Sequence, residues 1–172
     1  DFENIGKLTN QGKTDKIDTA GLQIKRTFQV IEQGSSQKDQ EQFNSTEEIF
    51  GVSGCSPIYR NSALKDVGYF DQKFFNYKED VDLSFRLQNK NWQAYRIGKA
   101  IGYHDRTLSK MKSRKNRSSF LNYLSYRNHL YILIKNLSAS DFIRYGIFIL
   151  FYEFKKIIYL ILFEQKTLYA WI

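Results

Sequence analysis

"GYFDQKFFNYKEDVDLSFRLQ", residues 68–88, sets five aromatic rings within ten positions directly before three carboxylates, Glu79, Asp80 and Asp82. Rings leave water and carboxylates do not, so this juxtaposition either starts a helix or floors a pocket with charge on it. The spacing predicts a helix from Glu79 to about Lys90. Val81 with Phe85, and Leu83 with Leu87, lie four apart, and Asp82 and Arg86 are placed to pair on the outer face. Glu79 and Asp80 then fall in the first turn, where the helix dipole favours negative charge by a few tenths to ~1 kcal/mol. A calcium loop is excluded, because the Gly at the sixth position and the terminal Glu are missing. A catalytic carboxylate at the rim of an apolar wall remains beside the dipole reading, and the residues alone leave both open.

Upstream, "NSALKDVGYFD" reads as a short helix capped by Asn61 and stopped by Gly68. "GVSGCSPIYR", residues 51–60, places small flexible residues before a strand-like "PIYR", which lets a backbone pass close to a ligand. Ordinary turn chemistry gives the same pattern. Ser45 and Glu48 have capping-box spacing, predicting a helical turn. "LQIKRTFQVI" at 22–31 alternates like one strand, and "EQGSSQKDQEQ" at 32–42 reads as an exposed loop. Downstream, "WQAYRIGKAIGYH" (92–104) reads as strand, glycine kink, strand, ending on His104. Strand, short helix, loop, helix, strand is α/β punctuation.

The chain has 172 residues, enough for one domain with a real core, and its 42% apolar and 16% aromatic content excludes a disordered chain. A single cysteine, Cys55, excludes a disulfide framework and points to a reducing compartment. No secretory signal follows Asp1, so the triplets beginning at Asn44, Asn116 and Asn136 are read as chance matches to glycosylation sequons.

Charge is divided unevenly. Residues 1–105 carry 14 basic against 15 acidic side chains, and residues 106–172 carry 12 against 3, so the whole excess of +8 lies in the last part. Such a tail meets an anionic surface, phospholipid or nucleic acid, or is simply a solvated face. "SFLNYLSYRNHLYILIKNL" predicts a helix with Phe120, Tyr123, Leu124 and Arg127 on one face, continued by Tyr131, Ile134 and Lys135. Residues 141–163 are strongly apolar yet contain Arg144, Glu153, Lys155 and Lys156. Their longest uncharged run, Tyr145 to Tyr152, is far short of the ~20 residues a spanning helix needs. The expectation is a helix lying in a membrane interface, with burial against another domain as the alternative. "RTLSKMKSRKNR" (106–117) raises nucleic-acid binding, but no RNA- or DNA-binding motif surrounds it.

Across residues 50–105 the order of pieces resembles the later part of a family 2 glycosyltransferase of the rhamnosyltransferase-like kind that acts in bacterial surface polysaccharide synthesis. The residues that carry the resemblance are the "SGC" turn before a segment ending in Arg60, "VGYFDQKFF", "YKEDVDLSFR", and His104 after a Trp-led strand. "KIDTAGLQI" at 16–24 fits the segment that usually precedes them, and the likeness covers roughly residues 16–135.

The resemblance implies the C-terminal half of a GT-A fold, an α/β architecture, over residues 1–110, followed by a basic tail of amphipathic helices over 111–172. It implies an inverting transfer from a nucleotide sugar to a glycan or lipid-linked acceptor. Asp80 would be the base that takes the acceptor proton. Glu79 or Asp82 would orient that base or the acceptor, and Gly54, Cys55, Arg60, Asp82 and Arg86 would bind substrate. His104 would ligate a divalent ion, Mn²⁺ or Mg²⁺, that stabilises the leaving nucleoside diphosphate. The family's Asp-x-Asp motif and nucleotide-binding half are expected before residue 1, which makes this chain the acceptor side and inactive by itself. "DVD" at 80–82 has that spacing but stands in the base position. The expected location is cytoplasmic, peripheral at the inner face of the cell membrane, with no nucleic-acid partner. The alternatives are a non-catalytic membrane-association module or a basic nucleic-acid-binding protein.

Overall fold

A computed structural model describes residues 14–104 and 118–171, with side chains to residue 168. The basic run 106–117, the triplet at Asn116 and the expected boundary at 110/111 lie outside the described residues. The rest is a mixed α/β arrangement of two small antiparallel sheets and four α-helices.

Strands β1 (Leu22–Ile24) and β2 (Val30–Glu32) form a hairpin with Leu22 opposite Glu32. The sequence pattern predicted one continuous strand here. The chain reverses instead because Phe28 takes φ 56° and drops its ring into the core, 5.6 Å from the Phe85 ring and stacked on it. Burying that ring outweighs the strain of the left-handed backbone. Strand β3 (Thr46–Ile49) replaces the helical turn expected from Ser45 and Glu48. It pairs with β4 (Ala94–Ile97), and its Glu47 lies opposite Arg96, forming an ion pair at 2.8 Å. A cross-strand ion pair of this kind has no counterpart in an isolated turn. "PIYR" is extended but joins no strand among the described residues, and residues after Gly98 form a turn rather than a second strand.

Helix α1 (Asn61–Val67) stops at Gly68, whose φ of 83° suits glycine. Arg60, not Asn61, occupies the cap position and makes no side-chain cap. Helix α2 (Glu79–Asn89) matches its predicted span, but five successive residues, Val81 to Phe85, are buried. At 3.6 residues per turn this means its first half is enclosed on every side. The Asp82–Arg86 pair forms at 2.8 Å as expected, inside the protein rather than on an outer face.

Helix α3 (Ser119–Asn136) and helix α4 (Ala139–Phe163) follow. Ser118 and Ser138 cap them by accepting from the backbone N–H groups of Leu121 and Asp141. The buried side of α3 shares only Leu124 with the predicted aromatic face. It carries Leu124 and Ile132 but also Tyr126, Asn128, His129 and Asn136, while Phe120, Tyr131 and Ile134 are exposed. A neutral His129 hydrogen-bonds Glu153 of α4 at 2.7 Å, and Tyr126 donates to the same carboxylate at 3.0 Å. Burial holds His129 below its usual range. Burial would raise Glu153, but the His129 hydrogen bond and the charges around it hold it low. One core joins Leu22, Phe28, Phe74, Val81, Phe85, Ile132 and Ile149, so α3 and α4 pack on the same apolar centre as the hairpin and α2.

Candidate active site

Asp80 reaches the "SGC" turn because α2 enters beneath it. The backbone N–H of Gly54 donates to Asp80 Oδ2 at 2.8 Å, and Val81 N–H lies 2.8 Å from Oδ1. The turn can come this close because Gly51, three residues earlier, lies against α2, where a methyl group would collide with Ser84. Ser84 in turn donates to the Asp80 carbonyl at 2.8 Å.

The loop before α2 is strained. Phe75, Tyr77 and Lys78 all have φ between 58° and 69°, a region that costs a non-glycine residue of order 1–3 kcal/mol and persists only where the surroundings fix it. Asn128 of α3 fixes it. Its fully buried Nδ2 is 2.7–2.8 Å from the carbonyls of Phe74, Asn76 and Tyr77, and Arg127 donates to the Lys73 carbonyl at 2.9 Å.

A cleft of about 230 Å³ opens beside this loop, lined by Glu32, Asn76, Lys78, Glu79, Asp80 and Ser125, among others. Glu79 also borders a second hollow of about 290 Å³ with Phe70 and Phe75. The acids around the cleft are in contrasting states. Both Asp80 oxygens accept hydrogen bonds, whereas Glu32 Oε2 and Glu79 Oε2, and outside the cleft lining the Tyr59 hydroxyl, are buried without a partner among the described residues. Burial, reinforced by Asp80 and Glu79, pushes the Tyr59 phenol up to about 12, so it stays a neutral donor at physiological pH. Burial holds the Lys78 ammonium below its usual range, against the pull of Asp80 and Glu153.

Burial also pushes the Glu79 carboxyl up, with Asp80 adding to the effect and a backbone hydrogen bond opposing it. The folded protein therefore holds this proton more tightly than the unfolded chain. The stability it contributes is present below the ordinary glutamate range and is lost as pH rises through the raised value. Glu79→Gln is expected to raise the melting temperature at neutral pH, with the gain shrinking toward about pH 4, where the wild-type carboxyl is protonated. A lower melting temperature at neutral pH would show that attraction to the helix dipole dominates burial instead.

The remaining sequence-selected residues separate into three places. Asp82 is fully buried and holds Arg86, Lys135 at 3.0 Å and Asn136 at 3.2 Å. Arg86 donates to the carbonyls of Val67, Gly68 and Tyr69, closing the end of α1. Both side chains are engaged in holding helices together. Arg60 is exposed at the start of α1, outside the cleft lining. Exposed Cys55 and His104 meet Asp18, with the donor atoms of all three within 4.8 Å of one another and His104 Nδ1 2.8 Å from Asp18 Oδ2. His104 does not line the Asp80 cleft, and the two are joined through the Gly54–Cys55 turn. Imidazole, carboxylate and thiol form a donor set that fits a divalent cation.

Reasoning from sequence missed Asp18, Glu32, Tyr59, Lys78 and Asn128 as site residues. Asp18 stands inside the quoted "KIDTAGLQI". Nothing in "YRNHL" marks Asn128 as the clamp of a loop fifty residues away.

Among curated proteins the chain is similar to N-acetylglucosaminyl-diphospho-decaprenol L-rhamnosyltransferase from two strains of Mycobacterium tuberculosis, with 37% identity over 71 residues. The match covers 41% of this chain and 23% of each relative, so the chain spans about a quarter of the length of those proteins. It marks a glycosyltransferase-like region within the chain. No family model matches, and no solved structure matches.

Proposed function

We propose that this chain supplies the acceptor side and the catalytic base of an inverting, GT-A-type glycosyltransferase acting on a lipid-linked acceptor. The observation that carries this reading is the Asp80 carboxylate, gripped by Gly54 N–H at the edge of a polar cleft. Two hydrogen-bonded oxygens orient the carboxylate before any substrate arrives, which is what proton removal in the transition state rewards. In this mechanism Asp80 takes the acceptor hydroxyl proton as that oxygen attacks the anomeric carbon of the donor sugar. The Glu32 and Glu79 oxygens that have no partner among the described residues hold the other hydroxyls of the acceptor. At about 230 Å³ the cleft is smaller than the ~300–1,000 Å³ typical of drug-sized sites, so it takes one sugar ring rather than several. His104 and its neighbours would hold a divalent cation, and that ion would supply charge neutralisation for the departing nucleoside diphosphate. The relative's name motivates the substrates of the test. With the chain joined to a nucleotide-sugar-binding half, labelled rhamnose is expected to pass from a nucleoside-diphosphate donor to N-acetylglucosaminyl-diphospho-polyprenol. Absence of transfer to this or any related lipid-linked sugar would overturn the reading.

A lipid-linked acceptor requires the enzyme to reach a membrane, and α4 offers the means. Ile143, Ile147, Phe151, Phe154, Ile158 and Ile161 are all exposed and fall on one side, opposite the buried Gly146, Ile149, Glu153 and Leu160. Arg144 and Lys155 fall within the same stretch of sequence. No helix among the described residues is long and apolar enough to cross a membrane. The helix lies in the headgroup region of an anionic leaflet, its rings in the acyl boundary and its cations at the phosphates. The protein is expected to co-sediment with vesicles containing phosphatidylglycerol. Phe151→Ser and Phe154→Ser should each weaken that binding about tenfold or more, the equivalent of losing one buried ring. Unchanged sedimentation in the double variant would contradict the assignment of this face.

A further inference from the structure

We infer that Asp18, Cys55 and His104 together form a three-donor cation site that favours a sulfur-tolerant ion of the Zn²⁺ or Co²⁺ type over Mg²⁺. The inference rests on the proposed function only in taking His104 as a ligand, and it adds the two partners and the preference. Three residues distant in sequence converge here. A surface ion pair accounts for Asp18 and His104 at 2.8 Å, but it does not account for a thiol whose sulfur falls within the same 4.8 Å cluster.

The dimensions suit a cation. Ligands bound at ~2.0–2.3 Å around a tetrahedral ion stand roughly 3.3–3.7 Å apart, so the Asp18–His104 pair opens by less than an ångström and the sulfur closes by a similar amount. The cation takes the place of the proton shared between carboxylate and imidazole, and the thiol proton leaves to solvent as the metal–sulfur bond forms. The side chains of His104 and Asp18 are 42% and 33% exposed, and Cys55 is exposed, so an ion can enter without unfolding the site. Three protein ligands leave a further position open, which is the arrangement of a catalytic rather than a structural centre.

The sulfur sets the selectivity. Mg²⁺ demands oxygen donors in near-octahedral geometry and keeps its waters, whereas thiolate and imidazole suit Zn²⁺ and Co²⁺. The site also adjoins the base, because Cys55 directly follows Gly54, whose N–H holds Asp80.

Co²⁺ titration of the full chain under reducing, oxygen-free conditions tests this. A thiolate-to-cobalt charge-transfer absorption is expected to saturate at one equivalent and to persist in excess Mg²⁺. Cys55→Ser should abolish that band, and Asp18→Asn and His104→Gln should each weaken cobalt binding about tenfold or more. No cobalt binding, or cobalt binding with the same spectrum and affinity in C55S and D18N, overturns the inference. Loss of binding in H104Q alone leaves His104 as the ligand but removes the three-donor site. Intact three-donor binding together with absent sugar transfer leaves this site standing and defeats the glycosyltransferase reading.

Discussion

Asp82→Ala is expected to cost about 3–5 kcal/mol of folding stability, a large fraction of the ~5–15 kcal/mol that holds a typical domain together. The carboxylate has no solvent exposure, and it accepts from Arg86 at 2.8 Å, Lys135 at 3.0 Å and Asn136 at 3.2 Å. Truncation leaves a guanidinium that is only 16% exposed facing an apolar interior without its counter-charge. It also frees Arg86, which closes α1 through three carbonyls, and loosens Lys135, which spans to Asp71 at 2.8 Å. The Lys135 hydrogen bond keeps the Asp71 carboxyl below its ordinary range, so that contact is itself an ionic one. Asp82→Asn keeps the shape and part of the hydrogen bonding, and it should fall between wild type and alanine. Urea unfolding of the three proteins measures this. Alanine within about 1 kcal/mol of wild type would show that the buried cations find other partners.

That cluster also shows how far the sequence could be read. Helix α2 was legible to within a residue, because apolar side chains four apart and the acids of its first turn all agree on one element. The end of α1 was legible in Gly68, since a left-handed C-cap favours glycine. The burial of Asp82 was not, because a carboxylate four residues before an arginine reads as a surface pair until α3 supplies Lys135 and Asn136 from fifty residues away. Helix α3 itself was placed correctly, but of its aromatic face only Leu124 is buried. Its buried side holds Asn128 and His129 through hydrogen bonds, and a polar residue satisfied by distant backbone leaves no hydrophobic period to find. The hairpin at 22–32 failed for a related reason. Alternation gives the pleat but says nothing of Phe28 folding inward, which depends on the Phe85 ring waiting in the core.

For the candidate site, the residues of "YKEDVDLSFR" offered either a helix start or a base, and the structure shows the helix start. Glu79 and Asp80 occupy the first turn of α2, and Asp80 also reaches across to Gly54. The resemblance gave the order of "SGC" and "ED" along the chain but not their contact, so that long-range hydrogen bond was not anticipated. Nothing local to either stretch specifies the other.

Asp80→Asn is the second large effect, and it separates chemistry from architecture. Asparagine Oδ1 can still accept from Gly54 N–H while the bond from Val81 N–H is given up, so the turn, α2 and the cleft stay in place and the melting temperature should fall by only a few degrees. An amide cannot take the acceptor proton, and losing a positioned base costs about 10²–10⁴-fold. Because the base acts in the transition state and not in holding the ground state, the loss belongs in kcat, with the acceptor KM little changed.

The most direct measurement is therefore the rate of sugar transfer at saturating donor and acceptor, wild type against Asp80→Asn, with this chain joined to a nucleotide-sugar-binding half. A fall of at least about a hundredfold in kcat, with the melting temperature lowered by only a few degrees, is the predicted result. Undiminished transfer by the asparagine variant would contradict the assignment of Asp80 as the base.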